Sequence, residues 1–187
     1  EETRAKAYAD MFRAAGLTDV EIDEGGNVLG LRRGSGKPGG KLIVVSAHLD
    51  TVFPEGTPVT VRREGNKLHA PGVGDDVAGL ATQLSLIKAI VGANISAPMD
   101  ILFVGDVGEE GLGDLRGMKQ LFHKGKYKDR IASFFSIMYA YSRQLFALSR
   151  AGYLPKTLSV TNSRKAPTLA LIVPGIIVQV MLSLMIF

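Results

Sequence analysis

Three short stretches carry the residue types that could do chemistry. The first is Ser46-Ala47-His48-Leu49-Asp50-Thr51-Val52. His48 can ligate a metal through one ring nitrogen, and Asp50, two residues on, can accept the other N–H and fix the tautomer. A His-x-Asp pair is also a common structural feature. The second is Gly72-Val73-Gly74-Asp75-Asp76-Val77-Ala78-Gly79. Two acids ahead of a helix can simply complement its dipole. The glycines around them also allow the tight backbone that presents a carboxylate, and one carboxylate can bridge two metal ions. The third is Gly105-Asp106-Val107-Gly108-Glu109-Glu110-Gly111. One glutamate of the pair can bind metal while its neighbour activates water. A solvated acidic loop is the plainer alternative.

These stretches need elements to hold them. Residues 3–15 have helical apolar spacing, and Gly16 fits a helix stop. Residues 20–23 and 28–32 read as strands around Gly25-Gly26. Lys41–Ala47 (KLIVVSA) is a continuous apolar run, as in a strand buried on both faces. Residues 59–63 and 67–69 flank Gly65-Asn66 as a second hairpin. A helix is expected from Asp75-Asp76 to about Val91, a buried strand at 100–104 and a helix at 114–122. Alternating buried strands and helices predict an α/β sandwich around a mixed sheet. The first and third motifs follow apolar strands, and open α/β sheets bind ligands beyond the carboxyl ends of their strands.

The 187 residues contain no cysteine, which excludes disulfides, thiolate metal sites and a cysteine nucleophile. Any zinc site must use His, Asp and Glu. All 18 acids lie in residues 1–130, where 17 basic residues leave a net charge of −1, whereas 131–187 hold five basic residues and no acid. The excess of +4 is therefore no argument for nucleic acid. It belongs to an apolar tail, where Lys and Arg flank membrane segments. Residues 168–187 are 20 uncharged residues, the length of a transmembrane helix, though also of a buried core helix or strand pair. The chain begins at Glu1 without a basic-then-apolar leader, as expected of a fragment or a processed product.

In combination, His48-x-Asp50, Asp75 and Glu109-Glu110 resemble the two-zinc metallopeptidases that include peptidase T, glutamate carboxypeptidase, acetylornithine deacetylase and the aminoacylases. The resemblance covers about residues 1–130. Gly108–Phe122 (GEEGLGDLRGMKQLF) and the Asp-Asp pair look most like the peptidase T-like and tripeptidase branch. It implies that His48 binds one zinc and Glu110 the other, and that Asp75 bridges them. Asp50 would orient His48, and Glu109 would be the general base toward the attacking water. A cis peptide between Asp75 and Asp76 is implied too, as are substrates such as short peptides or acylated amino acids. The fold expected is an incomplete three-layer α/β sandwich followed by an apolar helical tail.

This chain departs from the family pattern. Val77 stands where the family has Lys or Arg. A later acidic ligand is expected near residue 134, which is Phe134, and no acid follows Asp129 and no His follows His123. The lid domain that helps bind substrate and form dimers is missing as well, so the chain is expected to be truncated and inactive. His69 and His123 read as surface residues.

Residues 131–187 resemble something else. Tyr141 to Pro155, then Lys165-Ala166-Pro167 and an apolar stretch, are similar to amino acid–polyamine–organocation transporters of the ethanolamine permease kind. The expectation is a chimera: a hydrolase part over 1–130, and a permease-like helical segment over 131–187 with a transmembrane helix at 168–187. The join falls around residues 130–137. The hydrolase part is expected in the cytoplasm, with membrane contact through the tail. The alternatives are a permease remnant, or a membrane-tethered domain that binds metal without catalysis.

Overall fold

The computed structural model describes residues 1–136, 149–150, 152 and 155–160. It divides into two compact units, Glu1–Ile137 and Met138–Phe187. The first unit holds α1 (Glu2–Ala14), β1 (Thr18–Ile22), β2 (Val28–Arg32), β3 (Leu42–His48), β4 (Arg62–Glu64), β5 (Lys67–His69), α2 (Val77–Gly92), β6 (Asp100–Asp106), α3 (Arg116–His123) and β7 (Ile131–Ser136). Among the described residues of the second unit there is a 3-10 turn at Lys156–Ser159, and the Ser149 hydroxyl donates to the Pro155 carbonyl at 2.7 Å.

Five strands form one sheet in the order β1-β2-β6-β3-β7. β1 and β6 run antiparallel to β2, whereas β6 and β7 run parallel to β3. The sheet is mixed, as expected. β4 and β5 form a separate hairpin.

Side chains alternate across a strand, so a strand covered on both faces must be apolar throughout. That is why β3 reads LIVVSA. Leu42 and Val44 pack on one face with Leu29, Leu31, Leu102, Val104 and Leu121 of α3. Ala47 packs on the other with Val28, Phe103, α1 (Ala5, Tyr8, Ala9, Phe12) and α2 (Leu80, Ile87). Helices thus cover both faces of the sheet. In α1 the inward residues recur at three- and four-residue spacing, one stripe of an amphipathic helix.

One buried polar strut crosses the α2 side. The Gln83 side chain is fully buried, and its Nε2 donates to the carbonyls of Val45 on β3 (2.9 Å) and Val104 on β6 (3.1 Å). Its Oε1 lies 2.8 Å from the Tyr8 hydroxyl, which donates either there or to the Leu80 carbonyl at 3.0 Å.

One expectation is corrected. Residues 131–136 do not open a helical tail but form β7, with Val44 opposite Phe134 and Ser46 opposite Ser136. A short apolar run fits helix and strand equally by periodicity, and here an open edge of β3 supplies the backbone partners. Among the described residues no helix is long and apolar enough to cross a membrane. The expected span at 168–187 lies outside them.

Candidate metal centre

Because β3 and β6 are parallel and His48 is level with Asp106, their carboxyl ends emerge side by side. The chain after β3 therefore meets the Glu109-Glu110 loop after β6. Asp75 arrives from the start of α2. The peptide bond Asp75–Asp76 is cis, as the family pattern implied.

One donor atom each from His48, Asp75 and Glu110 lie within 4.8 Å of one another. His48 Nε2 is 2.9 Å from Asp75 Oδ1 and 3.9 Å from Glu109 Oε2. On the other side of the ring, Nδ1 is 3.2 Å from the Asp50 backbone carbonyl and 3.6 Å from Asp50 Oδ1. Protonated on both nitrogens, the ring donates from Nδ1 toward Asp50 and from Nε2 to Asp75 Oδ1; once the Nε2 proton is gone, that nitrogen is free to ligate a metal. Asp50 Oδ2 accepts the Glu110 backbone N–H at 2.8 Å, which ties the two loops together. Its Oδ1 is buried without a hydrogen bond.

Asp76 has a different task. It caps α2, accepting the Gly79 N–H at 3.0 Å on Oδ1, while Oδ2 accepts the His48 backbone N–H at 3.2 Å. One carboxylate fixes both the start of α2 and the end of β3. No Cβ fits at Gly79: it would stand 2.1 Å from Asp76 Oδ1. Below His48, the Ser46 hydroxyl donates to Asp106 Oδ1 at 2.6 Å in the buried sheet. The sequence pattern gives Asp106 no role and Asp76 only that of a complement to the helix dipole.

Charge follows geometry. Burial by itself would lower the His48 imidazole, but hydrogen bonds to Asp50 and Asp75, with the charges of Asp76 and Glu109, outweigh it and hold it up at about 10. Burial would raise Asp50, yet the His48 imidazole beside its carboxylate and the bond from the Glu110 N–H keep it at about 2. Burial pushes Asp76 up to about 6 and raises Asp106. Glu110 is raised by burial and then by the charges of Asp75 and Glu109. Several acids crowded around one imidazole make a site that gains from a cation.

The donor set fits zinc, which accepts imidazole nitrogen and carboxylate oxygen. Asp50 Oδ1, buried without a hydrogen bond 3.6 Å from Nδ1, fits the tautomer that a ligating Nε2 requires. An ion held through His48 Nε2 would displace the proton there, so its apparent affinity is expected to rise about tenfold per pH unit through this group. Between pH 6 and 8 that is about 100-fold, and calorimetry in buffers of different ionisation enthalpy should read about one proton released per ion. Without metal the same proton stabilises the fold. Its folded value, about 10, lies above the unfolded value near 6.5, so the stabilisation is complete below about pH 6.5 and lost as pH rises through 10.

A cavity of about 790 Å³ opens beside Asp50 and Thr51 and is walled by Phe53, Val59, Val61, Val73 and Val77. A second, of about 320 Å³, touches Asp50, Glu110 and Arg116. His69 and His123 are exposed, as expected.

Among known proteins, carboxypeptidase G2 of Pseudomonas sp. (strain RS-16) is 30% identical over 114 residues, covering 59% of this chain and 26% of that protein. The chain thus spans about a quarter of this relative. Human carnosine dipeptidase 1 shares the fold at 16% identity, with a TM-score of 0.54 over 70% of this chain and 31% of that one. LapB from Legionella pneumophila does so at 22% identity, with a TM-score of 0.50 over 72% of this chain and 36% of that one. A model described as amino acid permease matches residues 131–187. The stretch from β3 onward, including Asp75 and the Glu109-Glu110 loop, matches the model of Peptidase family M20/M25/M40 over residues 44–146, more than half of the chain, which therefore belongs to that family.

Proposed function

We propose that this chain carries the metal-binding part of a zinc-dependent metallopeptidase or amidohydrolase acting on short peptides or N-acyl amino acids. The convergence of His48, Asp75 and Glu110 beside Glu109 carries this reading. His48, Asp75 and Glu110 would hold the metal. Zinc, when bound, polarises the amide carbonyl and acidifies water. Glu109 takes a proton from the attacking water and hands it to the amine that leaves as the C–N bond breaks. Asp50 holds the His48 tautomer. The 790 Å³ cavity is wide enough for a substrate side chain or acyl group.

Residues 130–187 contain no acid or histidine, so within this chain the ion depends on these three donors. The purified 187-residue chain is therefore expected to bind zinc yet show no hydrolysis of dipeptides or N-acetyl amino acids above the buffer rate. Zinc-dependent turnover that Glu109→Gln abolishes would overturn the inactivity while supporting the roles. A chain that takes up no zinc would overturn the whole reading.

The permease match favours a second reading for the remainder. The hydrolase part lies in the cytoplasm, joins a permease-like stretch around residues 130–137, and is held at a membrane by 168–187. Carbonate washing should leave the chain in the pellet, and release into the supernatant would sink the tether.

A further inference from the structure

We propose that Asn27 is a positioning residue for the loop that carries Glu109 and Glu110, an inference that rests on the metal-binding reading above. Asn27 immediately precedes β2, and its side chain is fully buried. Nδ2 donates to Asp23 Oδ2 at 2.9 Å and to the Gly117 carbonyl at 2.8 Å, and Oδ1 accepts the Val107 N–H at 3.3 Å. Both amide hydrogens and the amide oxygen are used. Val107 is the first residue after β6, and Gly117 lies in the first turn of α3. One amide therefore pins both ends of the loop at once.

The rest of the loop is built on that base. The Gly117 N–H donates back to the Val107 carbonyl at 3.0 Å, and the Leu115 N–H donates to the Gly108 carbonyl at 2.8 Å. Gly108 sits at φ +76°, a conformation that suits glycine. A Cβ at Gly117 would stand 2.2 Å from Asn27 Oδ1, so the amide and the helix start are fitted to each other. Asp23 in turn aims the amide, accepting the Asn27 N–H on Oδ1 at 2.9 Å. Only a planar group with donor and acceptor side by side meets a carbonyl and an N–H from the two loop ends. Aspartate would set a carboxylate against Asp23 and the Gly117 carbonyl. Alanine would strand the Val107 N–H in the interior and remove the second donor to the Gly117 carbonyl. Asn27 thus acts on the metal through Glu110.

The experiment uses the full chain and a chromophoric chelator competing for zinc. Asn27→Ala should weaken zinc binding about 10- to 100-fold. Combined with Glu110→Gln it should add less than about twofold, because its effect runs through that ligand. Hydrogen exchange at the Val107, Glu110, Leu115 and Gly117 amides should quicken at least about tenfold while the β3 amides stay protected. If Asn27→Ala fails to fold, Asp23→Ala removes one partner of the amide and should give a loss of about threefold with the same non-additivity. Unchanged zinc affinity in a folded variant, or losses that multiply with Glu110→Gln, would overturn the proposal. If the parent chain and its His48→Ala variant take up zinc equally, the metal reading falls, and exchange alone decides. Faster exchange confined to 107–117 then upholds the positioning of the loop, and unchanged exchange overturns it.

Discussion

Replacing His48 with alanine is expected to weaken zinc binding about 100-fold or more at pH 7. Structural zinc sites yield about 10–16 kcal/mol from four ligands, so one donor accounts for about 3 kcal/mol. The loss should be sharper here because three donors converge among the described residues and His48 is the nitrogenous one. The variant also leaves Asp75 and Asp76 without the positive partner that now faces them, at 2.9 Å in the case of Asp75, so the metal-free melting temperature should fall as well. His69→Ala is the control, since His69 is exposed and its ring lies 3.6 Å from Glu64, away from the site. Equal zinc affinity in the His48 variant and the parent would remove His48 from the site.

Gly79→Ala should cost about 1–4 kcal/mol, although alanine normally favours a helix over glycine by about 1 kcal/mol. The new methyl group would stand 2.1 Å from Asp76 Oδ1 and push the carboxylate away. Losing a helix cap costs about 0.5–2 kcal/mol, and overpacking adds about 1–3. Displacing Asp76 also frees the His48 N–H, so zinc affinity should drop together with the melting temperature. Gly92→Ala is the comparison: it lies at the other end of α2 with open space where its Cβ would go. A Gly79→Ala protein as stable as that comparison would show that Asp76 can relax without cost.

Local pattern made most elements legible. Residues 28–32 and 67–69 form the strands expected beside their glycine turns, and β3 and α2 begin and end within two residues of expectation. β6 runs two residues further than its apolar run, through Gly105 and Asp106. Neither residue favours a strand, but the ladder with β3 carries them along, and the Tyr8 ring occupies the room a Cβ would need at Gly105. α3 starts two residues late because Asp114 and Leu115 take left-handed backbone, with φ near +50°. β7 depended on a partner almost ninety residues earlier.

The site divides in the same way. The donors His48, Asp75 and Glu110 were visible as residue types in three motifs. The ties that aim them were not, because they link distant positions: Asp50 with Glu110, Ser46 with Asp106, and Asn27 with Gly117, the last 90 residues apart. A polar residue in a turn announces a turn, not the carbonyl it will meet across the sheet.

The strand order also governs how the chain is born. β3 ends at His48, but both of its neighbours come later: β6 begins at Asp100 and β7 at Ile131. At about 5–20 residues per second, the ribosome needs roughly 3–10 seconds to deliver β6 after β3, and longer for β7. For that time an apolar LIVVSA ribbon has two open edges, and the parallel pairings that will close them form slowly. Nascent chains should therefore depend on holding chaperones over the interval between these strands, and depleting those chaperones during synthesis should raise the aggregated fraction.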